Sequence, residues 1–223
     1  GHAGMSPDEV TIAEMLAAAG YTTGHVGKWH LGYTPETMPN GQGFGYSFGH
    51  MGGCIDNYSH FFYWVGPNRH DLWRNGQHIW EDGRFFPDLM AEECEAFIEK
   101  NQDRPFFIYW ASNANSPAGS PQDVRFGKQV DSRNNNGVEM VKHSADVAEV
   151  AETLKDEGIE ENTLLVWMSD NGPMYAFFPN SGYSWLRGGK GDVLEGGVRT
   201  PAFARWPGMI EPGQDPLDMI HVT

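Results

Sequence analysis

The chain's clearest chemical signal is Gly27-Lys28-Trp29-His30-Leu31-Gly32, a lysine and a histidine two apart around a tryptophan and between glycines. Neither helix nor sheet packing asks for that arrangement. One reading is a tight turn with Lys28 solvated and His30 capping a backbone group. The other is an anion site at a strand end, with Lys28 as a point charge and His30 handling a proton. Ser169-Asp170-Asn171-Gly172-Pro173 offers a carboxylate beside an amide oxygen. That pair suits a hard cation such as calcium or magnesium, and equally an Asx turn that ends a strand. Lys190 lies in the glycine-rich Leu186-Arg187-Gly188-Gly189-Lys190-Gly191, where backbone can approach a ligand closely. Its bland alternative is a flexible turn with a solvated lysine. Neither lysine has P-loop spacing, and GxGxxG and HExxH are both missing.

These residues need elements to hold them. Ser6-Pro7-Asp8-Glu9 reads as a helix start with a capping box, followed by Ile12, Met15, Leu16 and Ala19 in helical phase and a stop at Gly20. The stretch 21–32 reads as a short strand running into a loop. A second helix fits 87–101, with Met90, Cys94, Phe97 and Ile98 on one face. After Pro105, "FFIYWAS" has the continuous apolar character of a strand buried on both faces. A third helix covers 138–157, with Val147, Val150, Ala151 and Leu154 in phase before Gly158. "TLLVWMSD" is a further buried strand, and "VRTPAFARW" a last one. Helices alternating with strands predict an α/β domain with a largely parallel sheet, whose ligands lie beyond the carboxyl ends of the strands. Lys28, His30, the "SNANSP" segment and Asp170-Asn171 all follow strands, so they gather on one edge. Residues 40–86, rich in glycine, aromatics and histidine, form either a packed loop or a wall of the cleft.

Composition narrows the function. The 223 residues suit one domain, and 39% hydrophobic residues fill a real core. Fifteen basic against thirty acidic residues give −15, which argues against nucleic-acid binding and requires a local positive pocket for any anionic substrate. Cys54 and Cys94 make neither a disulfide framework nor a CxxC metal site. No apolar run has the length of a membrane span.

Taken in order, "AGYTTGHVGKWHLG", "RPFFIYWAS", "EENTLLVWMSDNG" and "LRGGKGDVLEGGVRTPAFARWPG" strongly resemble the type I, formylglycine-dependent sulfatases, of arylsulfatase-like kind. The resemblance implies an alkaline-phosphatase-like α/β/α sandwich that hydrolyses sulfate esters with one calcium ion. It implies that Lys28 and Lys190 hold sulfate oxygens, that His30 contacts the nucleophile, and that Asp170 and Asn171 are two of the calcium ligands. It further implies a formylglycine nucleophile made from a CxPSR-like motif, and a periplasmic, secreted or lysosomal-type compartment.

The chain departs from that pattern in three places. It has no CxPSR or SxPSR, since Cys54 is followed by Ile-Asp-Asn and Cys94 by Glu-Ala-Phe. The family's paired aspartates on an N-terminal strand are also missing. Residues 1–223 are therefore expected to be one catalytic domain lacking its N-terminal part and cut short at its C-terminus, inactive alone and weak for calcium. Third, Asn115 stands where the family has a histidine that protonates the leaving oxygen; an asparagine can hydrogen-bond sulfate but cannot act as a general acid. The expected substrate is a sulfated small molecule or glycan. Tyr58, Phe61, Tyr63, Trp64 and Trp73 are candidates for stacking on sugar faces, with Arg69 and Arg74 near further anionic groups. Two alternatives remain: a phosphatase or phosphodiesterase of the same superfold, and a degenerate domain that binds sulfated glycans without cleaving them.

Overall fold

The structure, a computed structural model, describes residues 4–63, 66–113, 135–175 and 184–216. The first helix, α1 (Ile12–Ala18), starts later than the sequence predicts. Ser6 to Glu9 form only a turn, in which the Ser6 hydroxyl accepts from the Asp8 amide. The working capping box is Thr11 with Glu14: the Thr11 hydroxyl accepts from the Glu14 amide at 3.1 Å, and the Glu14 carboxylate accepts from the Thr11 amide at 2.8 Å. The Thr11 hydroxyl also donates to the Gln42 carbonyl at 2.9 Å. That tertiary bond gives the Thr11 box an advantage that Ser6 lacks. The expected apolar face is not the buried one either. Ala13 is buried, whereas Ile12 and Met15 are exposed.

Strand β1 (Thr22–Lys28) is an interior strand of a five-stranded sheet, next to one edge, and is buried along its whole centre. It pairs in parallel with β2 (Tyr46–His50) on one side and β7 (Phe106–Ala111) on the other. Its Thr-Thr-Gly-His-Val-Gly-Lys sequence is not apolar, but Gly27 shows why small residues are needed. At φ +113° it sits where a Cβ would lie 2.1 Å from the Ala111 carbonyl oxygen of β7. Between β2 and α2 the chain makes an excursion through two short hairpins. In the first, β3 (Phe61–Phe62) pairs with β4 (Arg69–His70). In the second, β5 (Trp73–Arg74) pairs with β6 (Gln77–His78), and β5 extends the main sheet antiparallel to β2. The sheet is parallel across β2-β1-β7, as the sequence predicts, and carries an antiparallel hairpin at one edge.

Helix α2 (Phe86–Asn101) buries Met90, Cys94, Phe97 and Ile98, the face its periodicity predicts. With Val150 and Leu154 of α3 (Asn135–Asp156) they cover one side of the sheet, against Val26, Phe48 and Leu72. Burying each such side chain is worth about 1.5–3 kcal/mol. The opposite side carries Ala13, Trp29, Met38, Phe44 and Met51. Strand β7 shares itself between the two layers, with Phe106, Ile108 and Trp110 against the first and Phe107 against the second. It is an edge strand among the described residues and Tyr109 is half exposed, so it is not buried on both faces as its apolar run suggests. Strand β8 (Leu165–Met168) likewise alternates half-buried and exposed, and β9 (Ala202–Arg205) is exposed throughout. These two pair antiparallel in a sheet of their own, so each has a hydrogen-bonded neighbour on one side only among the described residues. The last short helix, α4, spans Glu195–Val198.

Candidate active site

Beyond β1 the chain continues pairing for two residues: the Trp29 amide donates to the His50 carbonyl at 2.9 Å and the His30 amide to the Met51 carbonyl at 3.2 Å. Trp29 is the anchor of this turn. It is buried among the second set of core residues and its indole N–H donates to the Thr37 carbonyl at 2.7 Å. Lys28 is half-buried and His30 exposed at the strand's carboxyl end. His30 holds φ +62°, a left-handed conformation that costs a residue with a side chain about 1–2 kcal/mol. A glycine there would be cheaper, and such strain gathers at functional sites. Gly53 packs directly on the His30 ring, since a Cβ there would lie 2.9 Å from its Cε1.

Asp170 and Asn171 follow β8. The Asp170 Oδ1 accepts from the Asn171 amide at 2.9 Å, and the Asn171 side-chain N–H donates to the Gly172 carbonyl at 2.9 Å. These bonds reach only to the next residue, so they are not the Asx turn expected; they still orient the pair, since the amide nitrogen's bond leaves the Asn171 Oδ1 as a possible ligand. Next comes a close approach of two loops. The Gly172 amide donates to the Gly197 carbonyl at 3.0 Å, and a Cβ on Gly172 would sit 1.7 Å from the Gly196 carbonyl oxygen. The Lys190 amide donates to the Pro173 carbonyl at 2.9 Å. These contacts lay the glycine-rich loop along the Asp170 turn and bring Lys190 to it.

The charges beyond β1 and β8 act on one another. Lys28 is held below the usual lysine range, first by burial and then by the charge of Lys190, with Asp170 and Cys54 opposing. His30 is also held down, by burial first and then by Lys28 and Lys190. Lys28, His30 and Lys190 thus lie near enough to act on one another electrostatically, and Asp170 near enough to act on Lys28. Asn115 lies outside the described residues.

No local motif signals the support beneath these residues. His50, opposite Lys28 in the β1–β2 register, is fully buried, and its pKa is pushed down to about 3 by burial and then by the Lys28 charge. His25 is also fully buried; its ring Nε2 lies 3.1 Å from the Lys28 carbonyl oxygen, and burial pushes its pKa down to about 4. Both are neutral struts at neutral pH, which a lone histidine in a strand does not signal. The aromatic excursion serves mostly its own packing. Tyr58 lies on Phe85, Phe61 against His70 and Trp80, and Trp73 on His78 with its N–H to Asp71. Arg74 pairs with Glu93 of α2 and so is not aimed at a ligand. Arg69 lies over the rings of Tyr33 and Phe62 and donates to the Tyr33 hydroxyl at 2.7 Å. Trp64 lies outside the described residues.

Calcium takes about six to eight oxygen ligands. Asp170 and Asn171 fit as part of such a set, but among the described residues Asp170 joins no cluster of three ionisable ligand side chains.

The fold is alkaline-phosphatase-like, an α/β domain with helices packed on a mixed sheet. The chain belongs to the sulfatase family, whose profile matches residues 3–222. It is 37% identical to human arylsulfatase A over 94% of its own length and 45% of that protein. It is 32% identical to mouse N-acetylgalactosamine-6-sulfatase over 95% of its length and 42% of that protein. Among solved structures, Ps i-CgsB superposes with a TM-score of 0.79 at 27% identity, covering 93% of this chain and 49% of that one. The PsFucS1 sulfatase from Pseudoalteromonas sp. superposes at 0.74 and 28% identity, covering 92% and 46%. The chain thus spans about half the length of the relatives it matches.

Proposed function

We propose that the whole protein hydrolyses sulfate monoesters of a carbohydrate, with Lys28, His30 and Lys190 at the reacting group. The observation that carries this reading is the convergence of two lysines in a chain of net charge −15. Lys28 is partly desolvated and repelled by Lys190, so an oxyanion between them relieves both costs. In this reading the two ammonium groups donate hydrogen bonds to sulfate oxygens as negative charge moves onto the leaving oxygen. His30, whose pKa is lowered by burial and then by the same lysines, presents an imidazole that can accept a hydrogen bond or a proton from the nucleophile. Calcium, held in part by Asp170 and Asn171, supplies further charge neutralisation when bound. No CxPSR-like motif occurs here, so the nucleophile comes from a segment outside these 223 residues. A periplasmic, secreted or lysosomal-type compartment goes with that reading.

A carbohydrate substrate is supported by the relatives' own names, which include an N-acetylgalactosamine-6-sulfatase and a Ps i-CgsB complex with k-i-k-neocarrahexaose. Within this chain Arg69 on Tyr33 and the exposed Trp80 are the outward-facing candidates for contact with a sugar. The test is turnover by the full-length protein on sulfated oligosaccharides, aryl sulfates and phosphate monoesters. Sulfated oligosaccharides are expected to be preferred, and Lys190→Ala to abolish turnover. Preference for phosphate esters would favour the phosphatase alternative, and glycan binding without turnover the non-catalytic one.

A further inference from the structure

Away from the lysine centre, the excursion between β2 and α2 assembles a second set of ligands. His60, His70 and Asp82 each place one ligand atom within 4.8 Å of the other two. They come from three separate segments: the residue before β3, the end of β4, and the turn after β6. His60 is fully buried and His70 is 8% exposed, while Asp82 opens to solvent. The His60 Nε2 lies 3.1 Å from the Arg84 carbonyl oxygen, a contact that requires the proton on Nε2. The lone pair is then on Nδ1, which has no hydrogen-bond partner among the described residues; both ring nitrogens of His70 also lack one there. Native interiors rarely leave such atoms unpaired, so each calls for an explanation. The rings are also fixed in place. His70 stacks on Trp80 with centroids 3.7 Å apart and planes 18° from parallel, and His60 meets Phe86 edge-on.

We propose that His60, His70 and Asp82 bind a divalent transition metal of the zinc type, which clips the excursion together. Two imidazoles and a carboxylate form a zinc-like ligand set, leaving a fourth position for water. Calcium and magnesium prefer all-oxygen sets and are not the fit here. The Arg84 carbonyl supplies the partner that a metal-binding histidine ordinarily has on its other nitrogen. The clip also reaches toward the lysine centre. The His60 carbonyl accepts from the Asp71 amide at 2.9 Å, and the Asp71 carboxylate accepts from the Gly52 amide at 2.7 Å, beside the Gly53 that packs on His30.

Zinc and cobalt(II) titrations of the full-length protein test this without any measure of turnover. The expected result is one zinc per chain retained through dialysis, and a cobalt derivative with the strong visible absorption of a four-coordinate site. Asp82→Asn changes only an exposed ligand and is expected to weaken zinc binding by about tenfold or more. Zinc should raise the melting temperature of the parent and not that of Asp82→Asn. No retained zinc, or binding undiminished in the Asp82→Asn/His70→Ala double variant, would overturn the proposal.

Discussion

Replacing Gly172 by alanine probes how the two halves of the active centre are held together. The added Cβ would lie 1.7 Å from the Gly196 carbonyl oxygen, half the 3.4 Å at which ordinary contact begins. The obstacle is backbone, so no side-chain rotation relieves it. The loops must separate by well over 1 Å, which also breaks the bond from the Gly172 amide to the Gly197 carbonyl. Overpacking of this kind costs about 1–3 kcal/mol. Asp170 sits two residues before the clash, and Lys190 is carried by the loop on its far side, so their approach is lost with it. A misplacement of about 1 Å in a reacting geometry costs about a hundredfold in rate. The assay is kcat/KM on a sulfate ester with the full-length protein, alongside a thermal melt. Gly45→Ala is the control, since its Cβ would meet nothing nearer than 3.7 Å and should leave both readouts unchanged. If Gly172→Ala kept kcat/KM within about twofold of the parent, the argument that this contact positions Lys190 would fail.

Other expectations follow from the same geometry. His25 and His50 have folded pKa values of about 4 and about 3 against 6.5 unfolded, so below pH 6.5 the unfolded chain binds protons that the folded chain refuses. Stability is therefore complete above pH 6.5 and falls with acidification toward those values, by about 2 kcal/mol per histidine at about pH 5; a urea midpoint equal at about pH 7.5 and about pH 5 would contradict this. Glu93→Ala leaves both Arg74 and the Tyr46 hydroxyl without their acceptor and is expected to cost about 1–3 kcal/mol, read from denaturant unfolding. Calcium titrated onto the 223-residue chain by calorimetry is expected to bind weakly, because Asp170 and Asn171 supply only part of the oxygens it needs. Micromolar affinity would show that further ligands come from this chain.

The sequence by itself determined what has a local cause. Helices α2 and α3 were legible because an apolar face recurs at helical spacing and an end is punctuated by proline or glycine. Lys28, His30, Asp170 and Asn171 stood out in the sequence because each ends or closely follows a strand run. Tertiary structure decided whatever depends on neighbours across the chain. Ser6 and Thr11 both carry a capping signal, and a bond to Gln42 favours Thr11. The runs at 106–111 and 165–168 look equally buried, yet each lacks a neighbour on one side among the described residues and leaves residues exposed. Only the fold brings the Lys190 charge within reach of Lys28, through loops held by a contact between glycines. His60, His70 and Asp82 form no motif, because their spacing is set by hairpins and not by a helix or strand period. Periodicity acts along the chain and can be read there; burial and Coulomb attraction act through space, and only the fold fixes those distances.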